Sequence, residues 1–238
     1  MFAHPTHGYL IAVMAGLTAA ALAADPARAG DWDERYTQEA PRIAPYQDRV
    51  QRIGDDLHLQ LLNGREVLLT NPPGYCQHPD ACPPVYTFDG FIAAAGAYLV
   101  EVAYWEGGAF MLVDARAGAR TLIVDRPHLD GSGRRFVAIL DSEEQGHAIE
   151  IWRLDPAGPQ REFAVDSRDS YRFVAWHGSD DVELSARDPD GHRRTEIHLV
   201  RGQTGWHILG PLTHLPITSD AANSCRLEPV RQAVDSMS

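Results

Sequence analysis

Positive charge is scarce in this chain. Its 238 residues carry 21 basic side chains against 33 acidic ones, giving a net charge of −12. An acidic protein repels phosphate backbones, so nucleic acid is excluded as a natural partner, and anionic lipid surfaces are disfavoured for the same reason. Catalytic signatures are missing too. There is no G-x-S-x-G nucleophile elbow and no H-E-x-x-H zinc motif. No window shows the periodicity of an amphipathic helix of ten or more residues. What is present is a core: apolar residues make up 44% and charged residues 23%, which sets the body of the chain apart from disordered sequences.

The longest uncharged apolar stretch, "YLIAVMAGLTAAALA" (9–23), is short for a membrane span, which needs about 20 residues. Small-x-small sites follow it at Ala21-Leu22-Ala23 and Ala27-Arg28-Ala29. This is the layout of a cleaved secretory signal, although no Lys or Arg precedes the apolar run. Cleavage between Ala29 and Gly30 is the expected site, because Pro26 ends the helix of the apolar run just upstream. The expected location is therefore periplasmic or secreted, with no stable membrane insertion after cleavage. The alternative is a retained N-terminal anchor.

Cysteine is also sparse: Cys76, Cys82 and Cys225. In an exported protein pairing is the default. "GYCQHPDACPP" places Cys76 and Cys82 in one Pro-rich loop, and a local bridge between them is expected, stabilising by roughly 2–3 kcal/mol. A bridge from either one to Cys225 is the alternative. Cys76, His78 and Cys82 lack a fourth ligand and the paired spacings of a zinc site, so no metal is expected there.

Four segments follow: a signal peptide (1–29), a polar lead-in (30–56), a β-domain (57–212) and a C-terminal tail (213–238). Asn63-Gly64 in "LHLQLLNGREVLLT" predicts a hairpin with a type I′ turn. From residue 85 onward, short apolar runs alternate with Gly- and Asp-bearing turns: "VYTFDGFIAAA", "AYLVEVAYW", "AFMLVDA", "ARTLIVD", "RRFVAILD", "HAIEIWRLD", "QREFAVD", "YRFVAWHG", "DVELSARD", "RRTEIHLVRG" and "GWHILG". This is an all-β pattern. "FMLVDARAG", "IEIWRLDPAG" and "EIHLVRGQTG" recur at about 40 residues, as do "YLVEVAYW", "RFVAILD" and "RFVAWHG". A period near 40 with four strands per unit is that of a β-propeller blade.

The units resemble blades of WD40-like β-propeller repeat proteins, of a bacterial exported type. "RPHLDGSGRRFVAIL" (126–140) is similar to the start of a blade's inner strand, and "IEIWRLDPAGP" to an outer hairpin. Position 130 is Asp and 132 is Ser in place of the usual Ser-Pro-Asp-Gly order, and no Gly-His…Trp-Asp pair occurs. The likeness spans roughly residues 85–210 and implies a propeller-like stack of about three to four four-stranded antiparallel blades. A β-sandwich is the alternative. Three blades do not close a ring, so a partial fourth unit from the N-terminal hairpin is expected.

Chemistry is thinly marked. Ser132 sits in a turn, and "DPDGH" (188–192) is explained by a type I turn without calcium. Strand alternation is expected to send several of His192, His198, His207 and His214 to different faces, an accidental surface set and not a metal site. Glu106, Asp114, Asp141, Asp155 and Asp181 stand at strand ends, where acids cap turns or are solvated. Tyr104, Trp105 and Glu106 in "YWEGG" read two ways: a recognition patch, since Tyr and Trp are enriched at binding hot spots, or a blade corner. The expected function is an exported, non-catalytic module that binds a protein or envelope component, with no cofactor. A periplasmic hydrolase or lyase at a propeller centre, or an inhibitor or immunity protein, is the alternative.

Overall fold

A computed structural model of the chain describes residues 32–72, 83–104, 107–190 and 192–210. The fold is all-β, a propeller-like stack of four antiparallel meander sheets, here called blades. Blade 1 has three strands: β1 (Val50–Ile53), β2 (Asp56–Gln60) and β3 (Glu66–Thr70). Blade 2 is β4 (Val85–Ile92), β5 (Ala97–Tyr104), β6 (Gly107–Asp114) and β7 (Arg120–Ile123). Blade 3 is β8 (His128–Leu129), β9 (Arg135–Ser142), β10 (Gly146–Asp155) and β11 (Gly158–Ser167). Blade 4 is β12 (Ser170–Trp176), β13 (Asp181–Arg187), β14 (Arg194–Gly202) and β15 (Gly205–Leu209). The expected partial unit at the N-terminus is thus a blade of three strands. Its first strand lies within the polar lead-in.

The strand runs explain the stacking. An inner blade is covered on both faces, so both alternating sets of side chains are apolar. Blade 3 shows this directly. Phe136, Ala138, Leu140, Ala148 and Trp152 join the core shared with blades 1 and 2, whereas Val137, Ile139, Ile149, Ile151 and Val165 join the core shared with blade 4. The end blades alternate instead. In blade 1, Val50, Leu57, Leu59, Val67 and Leu69 are buried, while Gln51, Ile53, Gln60, Leu68 and Thr70 on the other face are exposed. In blade 4 the inward set is Val182, Leu184, Ile197 and Leu199, and Arg172, Val174, Glu196 and His207 are exposed. Among the described residues nothing covers the outer faces of blades 1 and 4, and the four blades form a propeller-like stack.

Two details differ from the sequence reading. The Asn63-Gly64 hairpin forms, but its loop is Leu62–Gly64, closed by the Leu61 amide on the Arg65 carbonyl (2.8 Å), with only Gly64 at positive φ (81°). That is the three-residue turn with a left-handed glycine. Asn63 is used elsewhere: its amide donates to the Arg116 carbonyl (2.9 Å) and ties blade 1 to blade 2. Second, "RFVAWHG" is the first strand of blade 4, one strand out of phase with "YLVEVAYW" and "RFVAILD". The first strand of blade 3 has only two residues, so the sequence shows no apolar run that would have fixed the phase.

A 12-residue helix, α1 (Trp32–Ile43), covers β4. Its anchor is polar. Buried Glu39 accepts from Arg52 Nε (2.9 Å), Arg52 Nη2 (2.8 Å) and the Phe88 amide. This corrects the expectation that no amphipathic helix of ten or more residues would form: Trp32, Tyr36, Ala40 and Ile43 recur at helical spacing among polar residues.

Between blades 3 and 4, Glu162 accepts from Arg135 Nε (2.8 Å) and from the Trp206 indole (3.1 Å). Burial pushes its carboxyl up, but the bonds from Arg135 and Trp206 and the nearby Arg201 more than offset this, leaving it below the ordinary value. A depressed folded value stabilises above the unfolded value near pH 4.3, and that stability is lost as pH falls through the folded value. Glu162→Gln is therefore expected to lower stability at pH 7 and to flatten its acid dependence below about pH 4.5, read by urea midpoints across pH.

Candidate functional site

The seam between blades 2 and 3 opens, at one end, into a cleft of about 690 Å³. In a meander, every second turn falls at the same end. The turns after β4 (93–96), β6 (115–119), β8 (130–134) and β10 (156–157) therefore converge there. A second groove of about 410 Å³ adjoins it and shares Ala95, Arg116, Leu154, Asp155 and Pro156. These volumes are in the range of small-molecule sites.

Each turn is set by its own chemistry. Asp114 Oδ1 accepts from the Arg116 and Ala117 amides (both 2.7 Å), an Asx cap that makes the turn. Asp130, buried, accepts from Ser132 Oγ (2.8 Å) and the Arg134 amide (2.9 Å). Gly133 has φ +67°, and a Cβ there would stand 2.9 Å from the Ala94 methyl of the facing turn. Gly133→Ala is expected to cost about 1–2 kcal/mol from the left-handed backbone alone, with the Ala94 contact adding to it, measured by urea unfolding.

The cleft is basic. Arg116, Arg134, Arg135 and Arg153 line it against a single acid, Asp155. Two of the cations are spent. Arg135 turns to Glu162 at 2.8 Å, and Arg153 grips Asp155 through Nη2 (2.7 Å) and Nε (3.0 Å). Arg116 is held loosely, by one bond to the Pro156 carbonyl (3.2 Å) and an ion pair with Asp114 at 3.6 Å. Arg134 is exposed, and among the described residues its guanidinium has no ion-pair partner. All 21 basic residues of the chain are arginine, whose fork matches oxyanions in two-point contact.

No family model matches this chain, and no curated protein is similar to it. The site is therefore read from its own chemistry.

Of the sequence candidates, Tyr104 lies at the opposite end of the same seam. Its hydroxyl accepts from Gln145 Nε2, and Gln145 Oε1 accepts from the Gly108 amide (3.1 Å). Burial raises the Tyr104 phenol above its ordinary value, and the Gln145 bond partly offsets this. A Cβ at Gly107 would fall 2.2 Å from Gln145 Cδ. Gly107 thus makes room for a side chain of the next blade, a role that a hairpin turn alone does not require. Trp105, Glu106, Cys76, Cys82 and Cys225 lie outside the described residues.

The described strand-end acids each have a local partner. Asp141 meets His147 (2.8 Å) and Ser170 (3.0 Å), Asp155 meets Arg153, and Asp181 meets His198 (2.8 Å). In the Ser170–Asp141–His147 set the carboxylate is central, so no imidazole is placed to take the serine proton. His198 and His207 share the outer face of blade 4, because their strands pair through Val200↔His207, and His214 lies outside the described residues. Among the described residues, no three His, Cys, Asp or Glu are grouped to hold a metal.

Proposed function

We propose that this protein is an exported, non-catalytic binding module of WD40-like propeller type that recognises an envelope component through the cleft between blades 2 and 3. One observation carries the reading: a locally basic cleft, walled by four turns of two blades, in a chain of net charge −12. Turns on a rigid sheet scaffold are where recognition residues concentrate. Arg116 and Arg134, the cleft cations least engaged by neighbouring carboxylates, are the ones that serve binding directly. The signal-like N-terminus supports export, and a Cys76–Cys82 bridge suits the oxidising compartment it leads to.

The test is capture from envelope extract on immobilised protein. Arg116→Glu/Arg134→Glu is expected to lose the captured component at least about tenfold, a charge reversal at a recognition contact. Ile53→Glu/Leu68→Glu on the outer face of blade 1 is expected to retain it. Equal capture by all three proteins would overturn the reading.

A further inference from the structure

The two adjoining cavities differ in chemistry. The larger one presents the loosely held Arg116 and Arg134, whose guanidinium has no ion-pair partner among the described residues. The smaller one is lined by Ala95, Ala97, Leu112, Leu154 and Pro156, with Asp114 engaged by its own turn amides. Arg116, Leu154, Pro156 and Asp155 line both, so the cationic end and the Ala- and Pro-walled end are continuous, with Asp155 at their junction held by Arg153. We propose that the seam cleft binds a small amphiphilic oxyanion, its carboxylate or phosphate between Arg116 and Arg134 and its short apolar body in the small-residue groove. This rests on the cleft being the recognition site and names the chemistry it takes.

Three points carry it. First, an arginine fork with no internal acceptor is a ready two-point partner for an oxyanion. Asp155, the one carboxylate in the larger cavity, is neutralised bidentately by Arg153, so it does not repel an incoming anion at full charge. Second, apolar body and charged head are satisfied separately. Alanine and proline walls give a wide, shallow groove that does not discriminate chain shape, while the head sets orientation. Third, the net charge of −12 disfavours docking on an anionic surface, so the ligand is a single molecule, and the local attraction of Arg116 and Arg134 has to outweigh the chain's overall repulsion.

The experiment is calorimetric titration of the full chain with four probes below their micelle-forming concentrations: octyl phosphate, octanoate, inorganic phosphate and octyl glucoside. Octyl phosphate or octanoate is expected to bind about tenfold or more tighter than inorganic phosphate, and octyl glucoside not to bind. The tighter of the two octyl anions identifies the head group. Arg134→Ala, at an exposed side chain, is expected to weaken the anion about tenfold with the thermal midpoint unchanged. Arg116→Ala is checked in parallel, because its bond to Pro156 also joins the blades.

Octyl glucoside binding as well as octyl phosphate, or Arg134→Ala binding like wild type, would overturn the proposal. If neither octyl anion binds while envelope capture still depends on Arg116 and Arg134, the ligand class fails and the recognition reading stands. If the anions bind and capture is indifferent to the cleft, the reverse holds.

Discussion

Glu39→Ala is expected to destabilise the protein by about 3–5 kcal/mol, the cost of leaving a nearly buried guanidinium without its partner. Glu39 is 1% exposed and the Arg52 side chain 10%. The carboxylate holds both Arg52 and the Phe88 amide, so three elements hang on one side chain: α1, β1 and β4. Arg52 also donates to the Tyr86 carbonyl (2.7 Å), and Asn71 completes the junction through the Tyr86 amide (2.7 Å). The double variant Glu39→Leu/Arg52→Met removes both charges together and is expected to recover part of the loss. It leaves about 1–3 kcal/mol for the Phe88 amide, which then lacks an acceptor. Urea unfolding of the three proteins measures this. A loss below about 1 kcal/mol for Glu39→Ala would mean that water reaches Arg52 and that the junction is not sealed.

Phe136→Ala is expected to cost about 3–5 kcal/mol, a transfer loss plus a cavity that the seam cannot close. Phe136 is fully buried between blades 2 and 3 and stacks on Trp152 at 6.1 Å and 12°. Trp152 is fixed in turn. Its indole donates to buried Glu150 (2.9 Å), which also accepts from Arg161 (2.9 Å) and from the Val124 amide across the seam (3.3 Å). Polar groups with partners on both blades prevent a slide that would fill the hole. A small cost would show that the two blades move apart easily. The cleft at the end of that seam would then lack fixed walls.

The strands from β9 to β15, and those of blade 2, were legible because buried runs and Gly- or Asp-bearing turns alternate at near-blade spacing. The helix was not. The stripe Trp32, Tyr36, Ala40 and Ile43 was there, but Pro41 interrupts the pattern and the anchor is an ion pair whose partner lies on another element. Strand β8 was unreadable because two residues make no periodicity. The cleft was hidden for a different reason. Arg116, Arg134 and Arg153 are far apart in sequence and each looks like an ordinary turn or strand-end charge. The signal that would have found it was already in the repeat: "DARAG" and "DPAG" are equivalent turns, and equivalent turns of neighbouring blades fall at the same end. The total use of arginine was a second signal. At "YWEGG", spacing alone could not show that Gln145 of the next blade would occupy the room left by Gly107.

The central claim is that the seam between blades 2 and 3 is where this protein meets its partner. A photo-crosslinking side chain placed at position 134, compared with one at position 51 on the outer face of blade 1, tests it in intact envelopes. The account predicts a discrete adduct from position 134 that is competed away by free ligand-bearing extract, and none from position 51. An adduct from position 51 with none from position 134 would contradict it.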